Sequence, residues 1–445
     1  MFVNSRSAQG RAARGMRAGV GIAVGAALVA SLGACSSEPA ESGPVTLTFQ
    51  TWVPNIEPVV ENFNEQHDDI QVEVEAITAG PDGGYAAMLS AVDAGNPADV
   101  AQVGYDQMAS FLLRNALEDI TEYVQDDVDV FSEWQLAANT FNDRIYGIPQ
   151  ASGPMGMFYR TDLFEQYGVA VPTTWEEYEQ AARQIRAANP EAYIAVFAAN
   201  QAPWIMGLAE QAGTPWFQAE GDEWAVDIAN EDTLRMAEFW QRMIDEDLVK
   251  IENDLSSEWY ADIQAGRVLS WMSGSWADAI IRGNAPDTAG LWGAAELPQW
   301  DAAEPRSASW GGGSSNVVLR GSDHPREAAE FALWLNSNVD SVSMLTEAGA
   351  GWPAISDVDS VPAIQDSPEV FEFFGGQDIW DVFAASNEQI ALDWTWPPLT
   401  DSLYGFVTDE MRSAVESGTP LPQAFENIET RMVDEMEAAG LAVAR

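Results

Sequence analysis

Three segments near the start of the chain have the sequence pattern of β-strands: VTLTFQTW at 45–52, IQVEVEAI at 70–77 and ADVAQV at 98–103. In each segment β-branched and aromatic residues alternate with small or polar ones, which is typical of β-strands. Between them, apolar residues recur at helical spacing over 56–66 and 85–94. The order strand, helix, strand, helix, strand predicts the start of an α/β lobe with a parallel sheet.

Two later breaks in this pattern predict places where the chain changes lobe. The first lies at 142–156, where YGIP (146–149) precedes a Ser-Gly-Pro turn, and the second is SWGGGSS at 309–315. A strand at 316–319 and a helix at 325–336 follow the second break. We therefore expect the chain to return to the first lobe there.

Further helices are indicated along the rest of the chain. Trp175 to Ala188 has Thr173 and Thr174 before it as a helix cap and two glutamates in its first turn. A run of helices is expected between Pro203 and Asp247. Beyond Ala354 the pattern is largely helical and ends in an amphipathic helix over 421–436.

The first residues of the chain predict export and a lipid anchor. Four arginines precede an uncharged run of small and aliphatic residues over 18–34, which is shorter and less apolar than a membrane span requires. Cys35, the single cysteine of the chain, ends this run and resembles the lipidated cysteine of bacterial lipoproteins. Residues 1–34 are thus expected to be a signal peptide, and residues 35–44 an acylated cysteine with a flexible tether.

The composition of the chain argues against several classes of function. The 445 residues include 70 acidic and 20 basic ones, a formal charge of -50, so a nucleic-acid partner is excluded by repulsion. No Gly-x-x-x-x-Gly-Lys-Ser/Thr stretch is present, so the chain is not expected to hydrolyse ATP itself. With two histidines in all, a histidine-based metal site or catalytic triad is not expected.

Several motifs, in this order, resemble the extracellular sugar-binding proteins of ABC importers, the group that includes maltose-binding protein. The motifs are GNPADV (95–100), YGIP (146–149), FYRTDLF (158–164) with PTTW (172–175), QAGRV (264–268) with GSW (274–276), WGGG (310–313) and HPREAA (324–329). The resemblance covers nearly the whole chain after the tether. It departs at GAGWPA (349–354), which lacks the arginine that many relatives carry there.

The resemblance implies an α/β fold of the two-lobed periplasmic-binding-protein type (type II), with hinged lobes that each hold a mainly parallel sheet flanked by helices. The expected boundaries are 45–150 plus 311–348 for the N-terminal lobe and 151–310 plus 349–445 for the C-terminal lobe. The implied function is capture of a carbohydrate, a di- or oligosaccharide, in the interlobe cleft. The implied partners are permease subunits in the membrane and, indirectly, cytoplasmic ATPases, with no cofactor.

A sugar offers flat C–H faces and many hydroxyls, so its site requires aromatic side chains and fixed polar groups. Tryptophans in the pattern breaks, glycines that permit close backbone approach, and polar residues at strand ends are the candidates. By resemblance, Asp106 accepts a hydrogen bond from a sugar hydroxyl, and Trp276 stacks on a sugar ring. The full candidate set is Trp52, Asn55, Asp82, Tyr85, Tyr105, Asp106, Gln150, Trp276, Trp310, Gly312, Trp352 and Trp394.

Two other functions remain open at this stage. One is an exported glycoside hydrolase, although 70 carboxylates make any catalytic pair uninformative and no hydrolase motif is present. The other keeps the receptor fold with a polyamine, a peptide or a metal chelate as its cargo, because aromatic boxes also hold ammonium groups.

Overall fold

The structure, a computed structural model, describes residues 43–221 and 223–444, and from Gly43 onward the chain forms one compact unit. The predicted signal peptide, Cys35 and all of the predicted tether except Gly43 and Pro44 lie outside the described residues.

The strands are β1 Val45–Thr51, β2 Ile70–Ala76, β3 Val100–Gly104, β4 Thr140–Phe141, β5 Arg144–Ile145, β6 Gly147–Ser152, β7 Met155–Arg160, β8 Val196–Phe197, β9 Phe217–Glu220, β10 Glu223–Val226, β11 Lys250–Ile251, β12 Ser270–Gly274, β13 Trp292–Glu296, β14 Ser314–Val318, β15 Trp352–Pro353 and β16 Ala442–Val443.

The α-helices are α1 Glu57–Gln66, α2 Gly84–Asp93, α3 Met108–Leu113, α4 Thr121–Val124, α5 Glu133–Ala138, α6 Thr161–Tyr167, α7 Trp175–Ala188, α8 Ala202–Ala212, α9 Glu231–Asp245, α10 Ser257–Ala265, α11 Ala277–Asn284, α12 Pro325–Ser337, α13 Val339–Ala348, α14 Pro362–Gln365, α15 Pro368–Phe373, α16 Trp380–Glu388, α17 Thr400–Ser417 and α18 Leu421–Ala438. Short 3-10 turns lie at Gly80–Asp82, Tyr105–Gln107, Val128–Val130, Pro286–Thr288, Trp310–Gly312 and Val358–Ser360.

The first sheet has six strands in the order β15-β6-β14-β3-β1-β2. The pairs β1 with β2 and β1 with β3 are parallel, as the opening segments predict. The pairs β14 with β3, β14 with β6 and β15 with β6 are antiparallel. Helix α12 packs on β14, β3 and β1, and Phe331 of this helix contacts Phe49 of β1 with ring centroids 5.3 Å apart.

The second sheet has the order β12-β7-β13, and β7 is antiparallel to both neighbours. The expectation of a mainly parallel sheet in each lobe is therefore wrong. Antiparallel pairs arise because β14 returns to the first sheet between β3 and β6 and runs opposite to both, and because β12 and β13 both run opposite to β7 in the second sheet. Each of the two sheets is covered by helices.

The helix expectations fare differently along the chain. Helix α7 spans the predicted residues, and the Thr174 side chain accepts a hydrogen bond from the Glu177 backbone N–H, so the predicted cap is confirmed. The expected run of helices between Pro203 and Asp247 is wrong in part, because the antiparallel pair of β9 and β10 separates α8 from α9. Among the described residues, no helix has both the length and the apolar character of a membrane span.

Candidate functional site

A cavity of about 380 Å³ lies where the ends of the two sheets meet, and it is of the size that small-molecule ligands occupy. Six of the twelve sequence-predicted residues line it. On the side of the first sheet these are Trp52, Asp82, Tyr85 and Asp106, and the other two are Trp276 and Trp310. Leu255, Ile280 and Pro203 complete the wall on the side of the second sheet.

Trp52 reaches the cavity because it is the first residue after β1. Its backbone N–H donates to Oε1 of Gln102 on the neighbouring strand β3 at 3.2 Å, and the Thr51 hydroxyl donates to the same atom at 2.8 Å. Gln102 is itself buried and lines the cavity, so one glutamine fixes the turn and contributes to the wall.

Tyr85 is the second aromatic residue on this side. Its hydroxyl accepts a hydrogen bond from the Gly104 N–H at 3.0 Å, which ties helix α2 to the end of β3. The ring contacts Trp52 edge-on, with centroids 5.8 Å apart and planes at 83°. The two aromatic rings therefore form one corner of the cavity.

Trp276 and Trp310 form a second corner. Their ring centroids are 5.3 Å apart and their planes meet at 85°, an edge-to-face arrangement that aromatic pairs favour. Trp276 follows β12 and caps helix α11, whereas Trp310 lies in the 3-10 turn before β14 and donates its backbone N–H to the Gly153 carbonyl at 2.8 Å. Both indoles are half-buried.

Asp106 supplies a carboxyl at the wall of the cavity, in the turn that follows β3, and it is 2% exposed. The Tyr404 hydroxyl donates a hydrogen bond to its Oδ2. Burial raises the pKa of Asp106 to about 7, with the Tyr404 bond opposing the rise and the charge of Asp401 adding to it. Asp106 thus exchanges a proton near neutral pH.

A second buried carboxyl, Asp254, stands beside the lining residue Leu255. The Trp271 indole N–H donates to its Oδ2 at 3.3 Å and the Asn200 amide donates to its Oδ1 at 3.4 Å. Burial raises its pKa to about 6, opposed by these bonds and one from Gln201, while the charge of Asp82 raises it further. Leu255 has a φ of 57°, a left-handed conformation that is strained for leucine.

The remaining six predicted residues do not line this cavity. Asn55 lies in a turn with a φ of 54°, and Tyr105 contacts the Trp134 ring and accepts a hydrogen bond from Gln135. Gln150 donates a hydrogen bond to the Ser314 hydroxyl, and the Gly312 N–H donates to the Ser309 carbonyl. Trp352 packs on Trp380, and Trp394 packs on Trp216 and Trp396. Gln150 itself does not line the cavity, but its hydrogen-bond partner Ser314 does.

Sequence reasoning missed five polar residues of the wall, which are Gln102, Ser152, Gln201, Ser314 and Tyr404. Gln102 carried a usable signal, since it is a glutamine inside an otherwise apolar buried strand. Gln201 and Tyr404 carried none, because Gln201 precedes a helix and Tyr404 lies on a helix face nearly 300 residues away from Asp106 in the chain.

The wall suits a neutral, hydroxyl-rich ligand with flat apolar faces. It combines two aromatic corners with carboxyl, amide and hydroxyl groups that can bond hydroxyls. None of the described residues that line it is a lysine, arginine or histidine. In the part of the chain that the structure describes, no three His, Cys, Asp or Glu side chains are grouped so that they could hold a metal ion.

Comparisons with known proteins agree with this geometry. Residues 51–340 match the family model described as bacterial extracellular solute-binding protein. The lactose-binding protein of Rhizobium radiobacter is 26% identical over 326 residues, which cover 70% of this chain and 72% of that protein. The arabinooligosaccharide-binding protein of Halalkalibacterium halodurans is 24% identical over 360 residues, 78% of this chain and 80% of that protein.

Two solved structures share the fold over nearly their full length. The galacto-N-biose-/lacto-N-biose I-binding protein of an ABC transporter from Bifidobacterium longum, in complex with lacto-N-biose, superposes with a TM-score of 0.82 at 26% identity, covering 91% of this chain and 100% of that one. A B. animalis subsp. lactis binding protein in complex with beta-1,6-galactobiose gives a TM-score of 0.82 at 22% identity, covering 90% and 100%.

Proposed function

From the premise that this chain belongs to the family of bacterial extracellular solute-binding proteins, we propose that it captures a carbohydrate in the cavity and presents it to an ABC permease. The fold prediction, an α/β periplasmic-binding-protein fold with two lobes (type II), is confirmed by the solved structures it matches. The cargo and the permease partner are the parts that this proposal adds.

The observation that carries the proposal is that the corner formed by Trp276 and Trp310 and the carboxyl of Asp106 line the same cavity. Indole faces pack against the C–H faces of a sugar ring, and a buried carboxylate accepts hydroxyl hydrogen bonds strongly. The relatives in the comparisons are named for lactose and arabinooligosaccharide, and the solved structures contain disaccharides, which supports a di- or oligosaccharide here.

A two-state mechanism follows from the same geometry. The lobes proposed are 45–150 plus 311–348 and 151–310 plus 349–445. In support, β1, β2, β3 and β14 of the first sheet lie within the first set of residues, whereas β6 continues to Ser152 and β15 lies at Trp352–Pro353, outside that set. A ligand that contacts Trp52 or Asp106 on one side and Trp276 on the other bridges them, so it stabilises the closed form. A permease then distinguishes the loaded protein from the empty one.

The chain acts outside the cell as a member of this extracellular family, and we propose that Cys35 is acylated and anchors it to the outer face of the cytoplasmic membrane. We also propose that the chain binds its carbohydrate without changing it chemically. The relatives that it resembles are named as binding proteins. The relatives reported above are named as carbohydrate-binding proteins, which favours neither a hydrolase activity nor a polyamine or peptide cargo.

The test is a panel of mono-, di- and trisaccharides, spermidine and short peptides against the unit that begins at Gly43. A ligand at a hundredfold excess over its dissociation constant stabilises the folded state by about 2.7 kcal/mol, or about 3 °C in Tm for a unit of roughly 400 residues. We expect one saccharide to raise Tm and to be recovered intact. Cleavage of that saccharide would show that the protein is a glycoside hydrolase. A response to spermidine or peptide alone would show that its ligand is not a carbohydrate.

A further inference from the structure

The N-terminal end of helix α17 reaches the ligand cavity from a part of the chain to which no ligand role has been assigned. The helix begins at Thr400 and packs on α18 and α8, yet its first turns also contact the 3-10 turn Tyr105–Gln107. It therefore joins the segment that holds Asp106 to a helix of the residues proposed for the other lobe.

Two buried hydroxyl groups make this junction. The Thr400 hydroxyl donates to the backbone carbonyl of Asp106 at 2.8 Å, and the Tyr404 hydroxyl donates to Oδ2 of the same residue. The Thr400 backbone N–H donates to the Ser110 hydroxyl at 3.2 Å, and that hydroxyl donates to the Pro398 carbonyl at 3.0 Å. Asp106 is thus fixed at both its backbone and its side chain by one helix.

We propose that Tyr404 is the positioning residue of the carbohydrate site, holding the Asp106 carboxyl in place and keeping it ready to accept a ligand hydroxyl. The inference rests on the proposed function. A carboxylate offers about four lone-pair positions, so the bonds from Tyr404 and Gln107 leave capacity for a ligand. Tyr404 is 8% exposed and Asp106 2% exposed, so both partners of this hydrogen bond are largely buried.

The electrostatic setting gives Tyr404 a function beyond packing. The groups that face the Asp106 carboxyl are Tyr85 from α2, Tyr404 and Asp401 from α17, and Gln107 from its own turn. Burial and the Asp401 charge raise the pKa of Asp106, whereas the Tyr404 and Gln107 bonds lower it. Loss of the tyrosine hydroxyl therefore favours the neutral carboxyl, which is the weaker acceptor.

The expected effect follows from the ionised fraction. With a pKa of about 7, half of Asp106 is ionised at pH 7, and the affinity for a ligand that needs the carboxylate rises with pH through that value. Loss of one hydrogen bond raises a carboxyl pKa by about one unit. The ionised fraction at pH 7 then falls from about a half to about a tenth, so the apparent Kd rises about fivefold.

The experiment measures the Kd of the saccharide found in the panel between about pH 5.5 and 9. We expect Tyr404→Phe to move the midpoint of the pH profile upward by about one unit. Asp401→Asn removes a repelling charge and should move the midpoint downward, which provides a second variant should Tyr404→Phe not fold. Thr400→Val is the matched control, since it removes a buried bond from α17 to Asp106 without touching the carboxyl, and its midpoint should equal the wild-type one.

The outcomes separate the two proposals. If Tyr404→Phe weakens binding equally at every pH, or if the wild-type affinity is independent of pH, Tyr404 is only a structural residue and the inference is wrong while carbohydrate binding stands. If no saccharide binds the wild-type protein at any pH, the proposed function fails first.

Discussion

Truncating the tryptophan corner tests the proposed site at a single side chain. In Trp276→Ala the indole that lies 5.7 Å from Trp271 and 5.3 Å from Trp310 is lost, and with it one aromatic side of the cavity that Asp106 also lines. If a sugar ring packs on this indole, the ligand loses an aromatic contact and the burial of one apolar face.

The magnitude follows from those two terms. An aromatic contact contributes about 0.5–1.5 kcal/mol beyond area burial. Burial of a large apolar side chain contributes about 1.5–3 kcal/mol when complete, so the half-buried Trp276 gives about 1 kcal/mol more on ligand binding. The sum is about 2 kcal/mol, which corresponds to a Kd about 30-fold higher.

Trp334→Ala is the matched control for this truncation. Trp334 is also half-buried, and it also has two aromatic neighbours, Phe63 at 5.1 Å and His67 at 6.0 Å, but it lies on α12 and does not line the cavity. Both variants should lower Tm through lost packing, whereas the Kd measured by isothermal titration calorimetry should change in Trp276→Ala alone. Equal Kd values in the two variants would refute the assignment of this corner to the ligand.

Three further predictions concern stability and charge. Replacing Arg282 with Met leaves the Asp278 carboxyl, 1% exposed and 3.0 Å from the guanidinium, without its partner, so the free energy of unfolding measured with urea at pH 7 should fall by about 1–2 kcal/mol. Burial raises the pKa of Asp278 to about 6 and the loss of Arg282 raises it further, so the stability loss should grow above pH 7, where the carboxyl is increasingly charged, and disappear below pH 6, where both proteins hold it protonated; a loss independent of pH would contradict the assignment. Thr174→Ala removes the side-chain cap of α7 and should lower the free energy of unfolding by about 1 kcal/mol in the same assay. An unchanged free energy of unfolding would show that water replaces the hydroxyl as the partner of the Glu177 N–H. A uronic-acid analogue of the bound sugar should bind roughly 30-fold to 150-fold more weakly, since a carboxylate about 6 Å from Asp82 or Asp106 costs about 2–3 kcal/mol; equal affinity by calorimetry would show that the ligand carboxylate faces solvent.

How much the sequence predicts depends on how local each signal is. The alternation over 45–52 and the cap at Thr174 act within a few residues, and both predict structure that is observed. Sheet direction depends on which distant strands pair, so the antiparallel arrangement of β14 and β7 carries no local signal. The fold was predicted through the family resemblance rather than from strand patterns alone.

The same distinction between local and distant signals applies to the residues that line the cavity. Residues that directly follow a strand, such as Trp52, Asp106 and Trp276, were predicted and line it, because strand ends meet at one edge of a sheet. Trp352 and Trp394 stand in similar pattern breaks but pack against other tryptophans, and composition does not distinguish the two environments. Tyr404 required the tertiary structure, since helix periodicity does not reveal its contact with Asp106.

The most direct test of the central claim is a crystal structure of the unit from Gly43 with the saccharide identified in the panel. The account predicts a sugar ring against Trp276 or Trp310 and a sugar hydroxyl within hydrogen-bond distance of the Asp106 carboxyl. Sugar bound elsewhere, for example in the polar groove beside Trp300 and Arg306, with the cavity free of it, would contradict the account.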